Sequence, residues 1–89
     1  MHKNMIFDET GRYLAVSISA KDSSYYKDDK FAWDAPFEGY IRIFDTVLRK
    51  EIYCNYDTEE EFYWINAMKW SDDELYVIAN SGLYSMKMP

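Results

Sequence analysis

Apolar and polar residues alternate with a period of two along most of the chain, which is the spacing of β-strands whose two faces meet different surroundings. In the run RYLAVSIS, this spacing places Leu14, Val16 and Ile18 on one face of a predicted strand. In the run GYIRIFD, Ile41 and Ile43 fall together in the same way. The 3.6-residue spacing of an amphipathic helix does not recur. The pattern therefore predicts an all-β chain.

Turn-forming residues separate the alternating runs. The stretches DETG, SDDE and NSG are rich in residues that tolerate tight turns. Together with the runs EIYCNY, WINAMKW, ELYVIA and GLYSMKM, they predict about seven antiparallel strands in an up-and-down meander within one domain, residues 1–89. An insertion of mixed charge at 20–38 and an acidic link at 57–63 interrupt the alternation. Long connections of this kind often carry function.

An internal repeat relates the two halves of the chain. MIFDETGRYLAVS and MKWSDDELYVIAN share the order strand, aromatic residue, acidic turn, strand, and a strand that begins with Gly follows each of them. Phe7 and Trp70 are 63 positions apart, whereas Gly39 and Gly82 are 43 positions apart. The difference is close to the length of the 20–38 insertion, so without that insertion the two units share one register.

The repeat resembles the blades of β-propellers of the WD-repeat kind. In those blades, an aromatic residue and a Gly-containing turn precede a hydrophobic strand, and the next strand begins with Gly and ends in Trp-Asp or Phe-Asp. Here Phe44 and Asp45 stand at that final position. The resemblance implies a half-propeller of roughly two blades. The first blade would span 4–56, with 20–38 inserted, and the second would span 64–88 without a fourth strand. Because a closed ring needs about four or more blades, such a chain would either assemble with copies of itself or leave sheet edges open.

Composition and charge exclude several classes of function. Ten basic residues face 16 acidic ones, for a net charge of −6, which disfavours nucleic acid and anionic membranes as partners and suits a basic protein. The chain has one His, His2, and one Cys, Cys54, and it has no Gly-rich phosphate loop and no metal-ligand spacing. We therefore expect neither enzymatic activity nor a cofactor. The lack of a signal-like segment, of an 18-residue apolar run and of paired cysteines predicts a cytoplasmic protein.

The two interruptions lie at the same end of a meander, because alternate connections of antiparallel strands share an end. Residues 20–38 carry a net charge of −2 and residues 57–63 a net charge of −4, which together equal the net charge of the chain. Acidic groups there would pair with basic groups of a partner, and aromatic side chains would supply buried anchors. The predicted partner-binding residues are Tyr25, Tyr26, Asp28, Asp29, Trp33, Asp34, Glu59, Glu60, Glu61 and Phe62. In the alternative interpretation, the aromatic side chains fold back onto the sheets and the acidic groups are only solvated.

In size, acidity and lack of catalytic groups, the chain is similar to the immunity proteins of bacterial contact-dependent growth inhibition. That resemblance implies a cognate basic toxin, such as a ribonuclease domain, whose cationic substrate cleft the chain covers, and it is compatible with a weak homodimer. One alternative is a two-blade lectin-like module that assembles into a closed propeller and stacks sugars on Trp33, Trp64 or Trp70. A second alternative is a fragment of a longer propeller.

Overall fold

The computed structural model describes residues 2–21, 37–55 and 62–89. These ranges contain seven β-strands and no α-helix, which confirms the predicted all-β class and the predicted number of strands. The strands are β1 (His2–Phe7), β2 (Tyr13–Lys21), β3 (Phe37–Asp45), β4 (Lys50–Cys54), β5 (Ile65–Ser71), β6 (Glu74–Ala79) and β7 (Gly82–Lys87).

The strands form two antiparallel sheets. Sheet A has the order β1-β2-β3-β4, and sheet B has the order β5-β6-β7, so within each sheet the strands follow one another in chain order, and the chain passes from sheet A to sheet B after β4. Strands β2 and β3 continue further than the sequence pattern indicated, because Ala20 pairs with Glu38 and Lys21 with Phe37. The connection between these strands is therefore 22–36, which is shorter than the predicted insertion.

The two sheets pack face to face around one core. Strand β2 turns the face that carries Tyr13, Ala15 and Ser17 toward sheet B, whereas Leu14, Val16 and Ile18 are half-buried on its opposite face. The buried apolar residues are Tyr13, Ala15, Ile41, Ile43, Phe62, Ile65, Trp70, Leu75, Val77, Ala79 and Met88. Small side chains on β2 leave room for larger ones on β5, so the two sheets approach closely at this point.

Two hydrogen bonds fix β5 against sheet A. The N–H of Ile65, at the start of β5, donates to Oγ of Ser19 over 2.9 Å. Near the other end of β5, Nε1 of Trp70 donates to the carbonyl oxygen of Ile6 over 3.0 Å, and the Trp70 ring stacks on Tyr13. Strands β1 and β5 therefore lie side by side and run in the same direction.

A carboxylate ties together the turns at one end of sheet A, which we call the turn end (residues 8–12 and 46–49). Both oxygens of Asp45 accept hydrogen bonds from Arg12, the shortest over 2.8 Å. One of them also accepts the N–H groups of Val47 and Leu48, which orders the turn between β3 and β4. The Arg12 hydrogen bonds lower the pKa of Asp45, because they stabilise its charged form.

A second carboxylate orders the turn between β1 and β2. Oδ1 of Asp8 accepts the N–H of Tyr13 over 3.1 Å, and Oδ2 accepts the hydroxyl of Thr10 over 2.8 Å. Gly11 occupies this turn with a positive φ of 76°, a conformation that glycine adopts readily. Burial raises the pKa of Asp8, but these hydrogen bonds outweigh it, so the pKa is lowered overall. Hydrogen bonds thus order the turn end, and the β2–β3 ladder closes at the opposite end of sheet A, where Lys21 pairs with Phe37.

Candidate functional site

The connections 22–36 and 56–61 both leave and rejoin the described chain at the same end of sheet A. We call this the attachment end, and its residues are Lys21, Phe37, Asn55 and Phe62. The pair Lys21–Phe37 closes the β2–β3 ladder where residues 22–36 leave and return. Asn55 follows the last residue of β4, and Phe62 begins the return of the chain toward β5. The attachment end therefore brings together the ends of the segments 22–36 and 56–61.

Asn55 holds the exit of the second segment. Its side chain is buried, its Oδ1 accepts the N–H of Ile41 over 2.9 Å, and its Nδ2 donates to the carbonyl oxygen of Gly39 over 3.1 Å. A side-chain amide thus pairs with the β3 main chain at the position where β4 ends. Because buried amide groups lose much stability when they lack partners, this pairing fixes where the chain leaves the sheet.

The return of the chain is packed equally closely. A Cβ atom built on Gly39 would lie 2.9 Å from the carbonyl oxygen of Tyr63 and 3.2 Å from Cβ of Phe62, so only glycine fits between β3 and the returning chain. Tyr63 has a positive φ of 59°, which turns the chain toward β5, and its side chain is exposed. Two residues later, Ile65 donates its N–H to Ser19. The attachment end is thus ordered by the side chains of Asn55 and Ser19, which bond to the main chain of neighbouring segments, and by the close approach of Gly39 to Tyr63.

The net charge of the protein lies entirely outside this frame. Eight basic and eight acidic residues fall in the described ranges, so their formal charges cancel. Two Lys and eight Asp or Glu residues lie in 22–36 and 56–61 and account for the whole net charge of −6. The acidic character of the chain therefore belongs to the two segments that the attachment end holds.

Nine of the ten predicted binding residues lie outside the described residues. They are Tyr25, Tyr26, Asp28, Asp29, Trp33, Asp34, Glu59, Glu60 and Glu61. The tenth, Phe62, is fully buried, and its ring meets the edge of the Tyr84 ring at a centroid distance of 4.9 Å. Within a single chain Phe62 is thus a core residue that holds the returning segment, and a contact with a partner would require its exposure.

The sequence pattern did not single out Asn55 or Ser19, and it marked Gly39 only as the first residue of a repeated strand, without its contact with the returning chain. Each acts through a partner at least 14 positions away in the chain, so the local alternation carries no signal of it. Alternation places Asn55 on the face opposite Cys54, so nothing in the sequence indicated that both side chains are buried.

The described residues offer little for metal or nucleophilic chemistry. No group of three or more His, Cys, Asp or Glu side chains lies close enough together in these ranges to hold a metal ion. Cys54 is a free thiol and is buried. A shallow cleft of about 280 Å³ separates β1 from β5, and its lining residues are Asn4, Met5, Ile6, Asn66, Ala67 and Met68. The cleft has no charged side chain in its lining.

Comparisons with known proteins give no relative from which a function can be transferred. No protein-family model, no curated protein and no solved structure matches the chain. Within the described ranges, no helix has the length and apolar character needed to cross a membrane. The functional interpretation therefore depends on the sequence and on the geometry given above.

Proposed function

We propose that the chain is an immunity-type inhibitor that binds a cognate basic toxin, a nuclease of the kind used in contact-dependent growth inhibition, and covers its cationic substrate cleft. One observation supports this most strongly. The whole net charge of −6 lies in two segments, and an ordered frame of Asn55, Gly39, Phe62 and Ser19 holds their ends at one end of sheet A.

The mechanism we propose is occupation of a phosphate-binding cleft by carboxylates. A ribonuclease cleft is cationic because it binds a polyanion, so a concentrated acidic surface competes for the same Lys and Arg side chains. Long-range attraction between the opposite charges would speed the encounter, and the aromatic residues Tyr25, Tyr26 and Trp33 would provide desolvated contacts that slow dissociation. No catalytic step on the inhibitor is needed, and the protein would act in the cytoplasm, where it would meet the incoming toxin.

We further propose that sheets A and B are neighbouring blades of a half-propeller. In support, strands neighbour one another in chain order within each sheet, and the first strands, β1 and β5, lie side by side and run in the same direction. In a propeller, the first strand of each blade lines the centre of the ring in this manner. The rigid turn at Asp45 also stands at the Trp-Asp position of the repeat.

A lectin-like ring is the second candidate. It is favoured by exposed apolar side chains on the outer faces of both sheets, where Met5 is 67% exposed and Leu83 is 70% exposed. The position of Trp70 argues against it. This side chain is only 6% exposed and its Nε1 donates to the carbonyl oxygen of Ile6, so the ring is not available to stack on a sugar. The inhibitor proposal therefore has the stronger support.

The test uses two isosteric charge-neutralised variants. The first changes Glu59, Glu60 and Glu61 to Gln. The control changes Asp72 and Asp73 to Asn and Glu74 to Gln, which removes the same charge from the turn between β5 and β6, at the opposite end of the molecule from Ser19. The binding partner is a basic nuclease isolated on the immobilised wild-type chain and then purified, and association rates are measured at low and high salt.

The expected result is stoichiometric loss of nuclease activity on addition of the wild-type chain. The first variant should associate roughly tenfold or more slowly at low salt, while the control variant should stay within about threefold of the wild type. Undiminished nuclease activity at an inhibitor excess would overturn the proposed function. Equal slowing of both variants would leave inhibition standing but would refute the location of the site.

A further inference from the structure

Strand β7 ends sheet B, and none of the described strands pairs with its far side. The N–H of Met88 donates to the carbonyl oxygen of Asp73, so the main-chain groups of Met88 point toward the start of β6. Because the direction alternates along an antiparallel strand, the main-chain groups of Leu83, Ser85 and Lys87 point away from β6. These three residues present a row of N–H and C=O groups at the free edge.

The other strand edges in the described ranges differ from this one. Strands β1 and β5 border the cleft described above and are joined by the Trp70–Ile6 hydrogen bond, and β4 has only five residues and a register shift in its pairing with β3. Strand β7 has six residues, pairs with β6 without a register shift, contains no Pro and has a single charged residue, Lys87. Natural edges are usually protected by bulges, prolines or charges, so β7 has the features of an edge that accepts another strand.

We propose that β7 of a second copy of this chain pairs antiparallel with β7 about a twofold axis at Ser85. In this register, Ser85 lies opposite Ser85 of the second copy, and Leu83 lies opposite Lys87 of the second copy. Each of the three edge residues then donates one main-chain hydrogen bond and accepts one. The two three-stranded sheets become one continuous sheet across the dimer, which satisfies the free edges of both copies.

Side-chain complementarity favours this register over one centred on Lys87. On the core-facing side, the half-buried Tyr84 lies opposite Met86 of the second copy, a favourable sulfur–aromatic pairing. On the outer side, the aliphatic stem of Lys87 covers Leu83, which is 70% exposed in the single chain. A shift that centred the axis on Lys87 would place two like charges opposite each other, which is unfavourable.

The contact is small, so the dimer should be weak. An interface formed by one strand edge and the adjacent side chains falls below the roughly 1,200 Å² typical of specific complexes. We therefore expect a dissociation constant of roughly micromolar to millimolar size. This interface is independent of the inhibitor proposal, because it does not include the segments 22–36 and 56–61.

A pair of oppositely charged variants tests the register. Leu83→Glu places a carboxylate opposite Lys87 of the second copy, and Leu83→Lys places a like charge there. Within its own chain residue 83 faces the apolar Ile78, so the two variants disturb the single chain to a similar degree. Sedimentation equilibrium at low salt should show that Leu83→Glu dimerises about tenfold or more tightly than Leu83→Lys, and salt should shrink the difference.

Amide exchange provides the second measurement. Raising the concentration of the wild-type protein should slow exchange at Leu83, Ser85 and Lys87, while Tyr84 and Met86 are already protected by β6. Ser85→Pro should abolish dimerisation, because it removes an edge N–H that β6 does not use. A chain that stays at 10.7 kDa at millimolar concentration would overturn the proposal. So would a dimer equally tight in Leu83→Glu and Leu83→Lys, or a trimer or larger ring.

Discussion

The hydrogen bond from Ile65 to Ser19 allows a matched test of how the two sheets are joined. Ser17 and Ser19 lie two positions apart on the same face of β2, and each is 1% exposed. Oγ of Ser19 accepts the Ile65 N–H over 2.9 Å, whereas Oγ of Ser17 has no hydrogen-bond partner among the described residues. Replacement by Ala removes the same atom from the same strand face in both cases, so packing and strand propensity change almost equally.

The two replacements should differ in their effect on the free energy of unfolding. Ser19→Ala leaves a buried N–H without an acceptor, which costs about 1–3 kcal/mol. Ser17→Ala removes a buried hydroxyl that has no partner, so the effect should lie between about 0.5 kcal/mol of destabilisation and a gain of about 1 kcal/mol. For a domain of this size, the Ser19 variant should melt roughly 5–15 °C lower than the wild type.

Urea unfolding followed by tryptophan fluorescence and by far-UV circular dichroism measures these energies, since Trp70 lies in the core. Hydrogen exchange adds a local measurement. The amide of Ile65 should be protected in the wild type and in Ser17→Ala, and it should exchange much faster in Ser19→Ala. Equal destabilisation of the two variants, or an unchanged rate at Ile65, would refute the assigned hydrogen bond.

Three further predictions follow from the two ends of sheet A. Phe62→Ala should destabilise the chain by about 3–5 kcal/mol in urea unfolding, because the ring is fully buried; a loss below about 1 kcal/mol would show that Phe62 is a surface residue. Gly39→Ala should lower stability by about 1–3 kcal/mol, because its Cβ would lie 2.9 Å from the Tyr63 carbonyl oxygen, and calorimetry that finds no change would contradict the close approach. The Arg12 hydrogen bonds lower the pKa of Asp45 below its usual 3.8, so this carboxylate stabilises the fold above that pH, and the contribution is lost as pH falls through the lowered pKa. Asp45→Asn should therefore be less stable than the wild type at pH 7, and the difference should shrink in melts at pH 2–3.

Strand positions were predictable from the sequence because alternation and turn-forming residues are local signals, and together they indicated about seven strands, the number that the structure has. The orientation of β2 was less accessible. Its more apolar face, with Leu14, Val16 and Ile18, is only half-buried, while the face with Ser17 and Ser19 meets sheet B. The small side chains on this face and the hydrogen bond from Ile65 to Ser19 favour this orientation of β2. Neither can be predicted from the hydrophobicity of one strand.

The candidate site was predictable only as a location. Antiparallel topology places both long connections at one end, and the pairing of Lys21 with Phe37 and the buried Asn55 agree with that inference. The frame itself depends on contacts between distant parts of the chain, such as Gly39 against Tyr63. A sequence pattern read locally contains no information about such contacts, so the residues that hold the site were found only in the structure.

The cancellation of formal charge within the described sheets has a consequence for how recognition could change over time. Since the formal charges of the described residues cancel, and Asn55 anchors the chain where segment 56–61 begins, we expect the two acidic segments to tolerate changes of sequence without a large electrostatic penalty on folding. We expect grafts of new sequence between positions 22 and 36 to redirect the choice of partner while the melting temperature changes little. A library of such grafts would show whether binding specificity can change while the stability of the fold is kept.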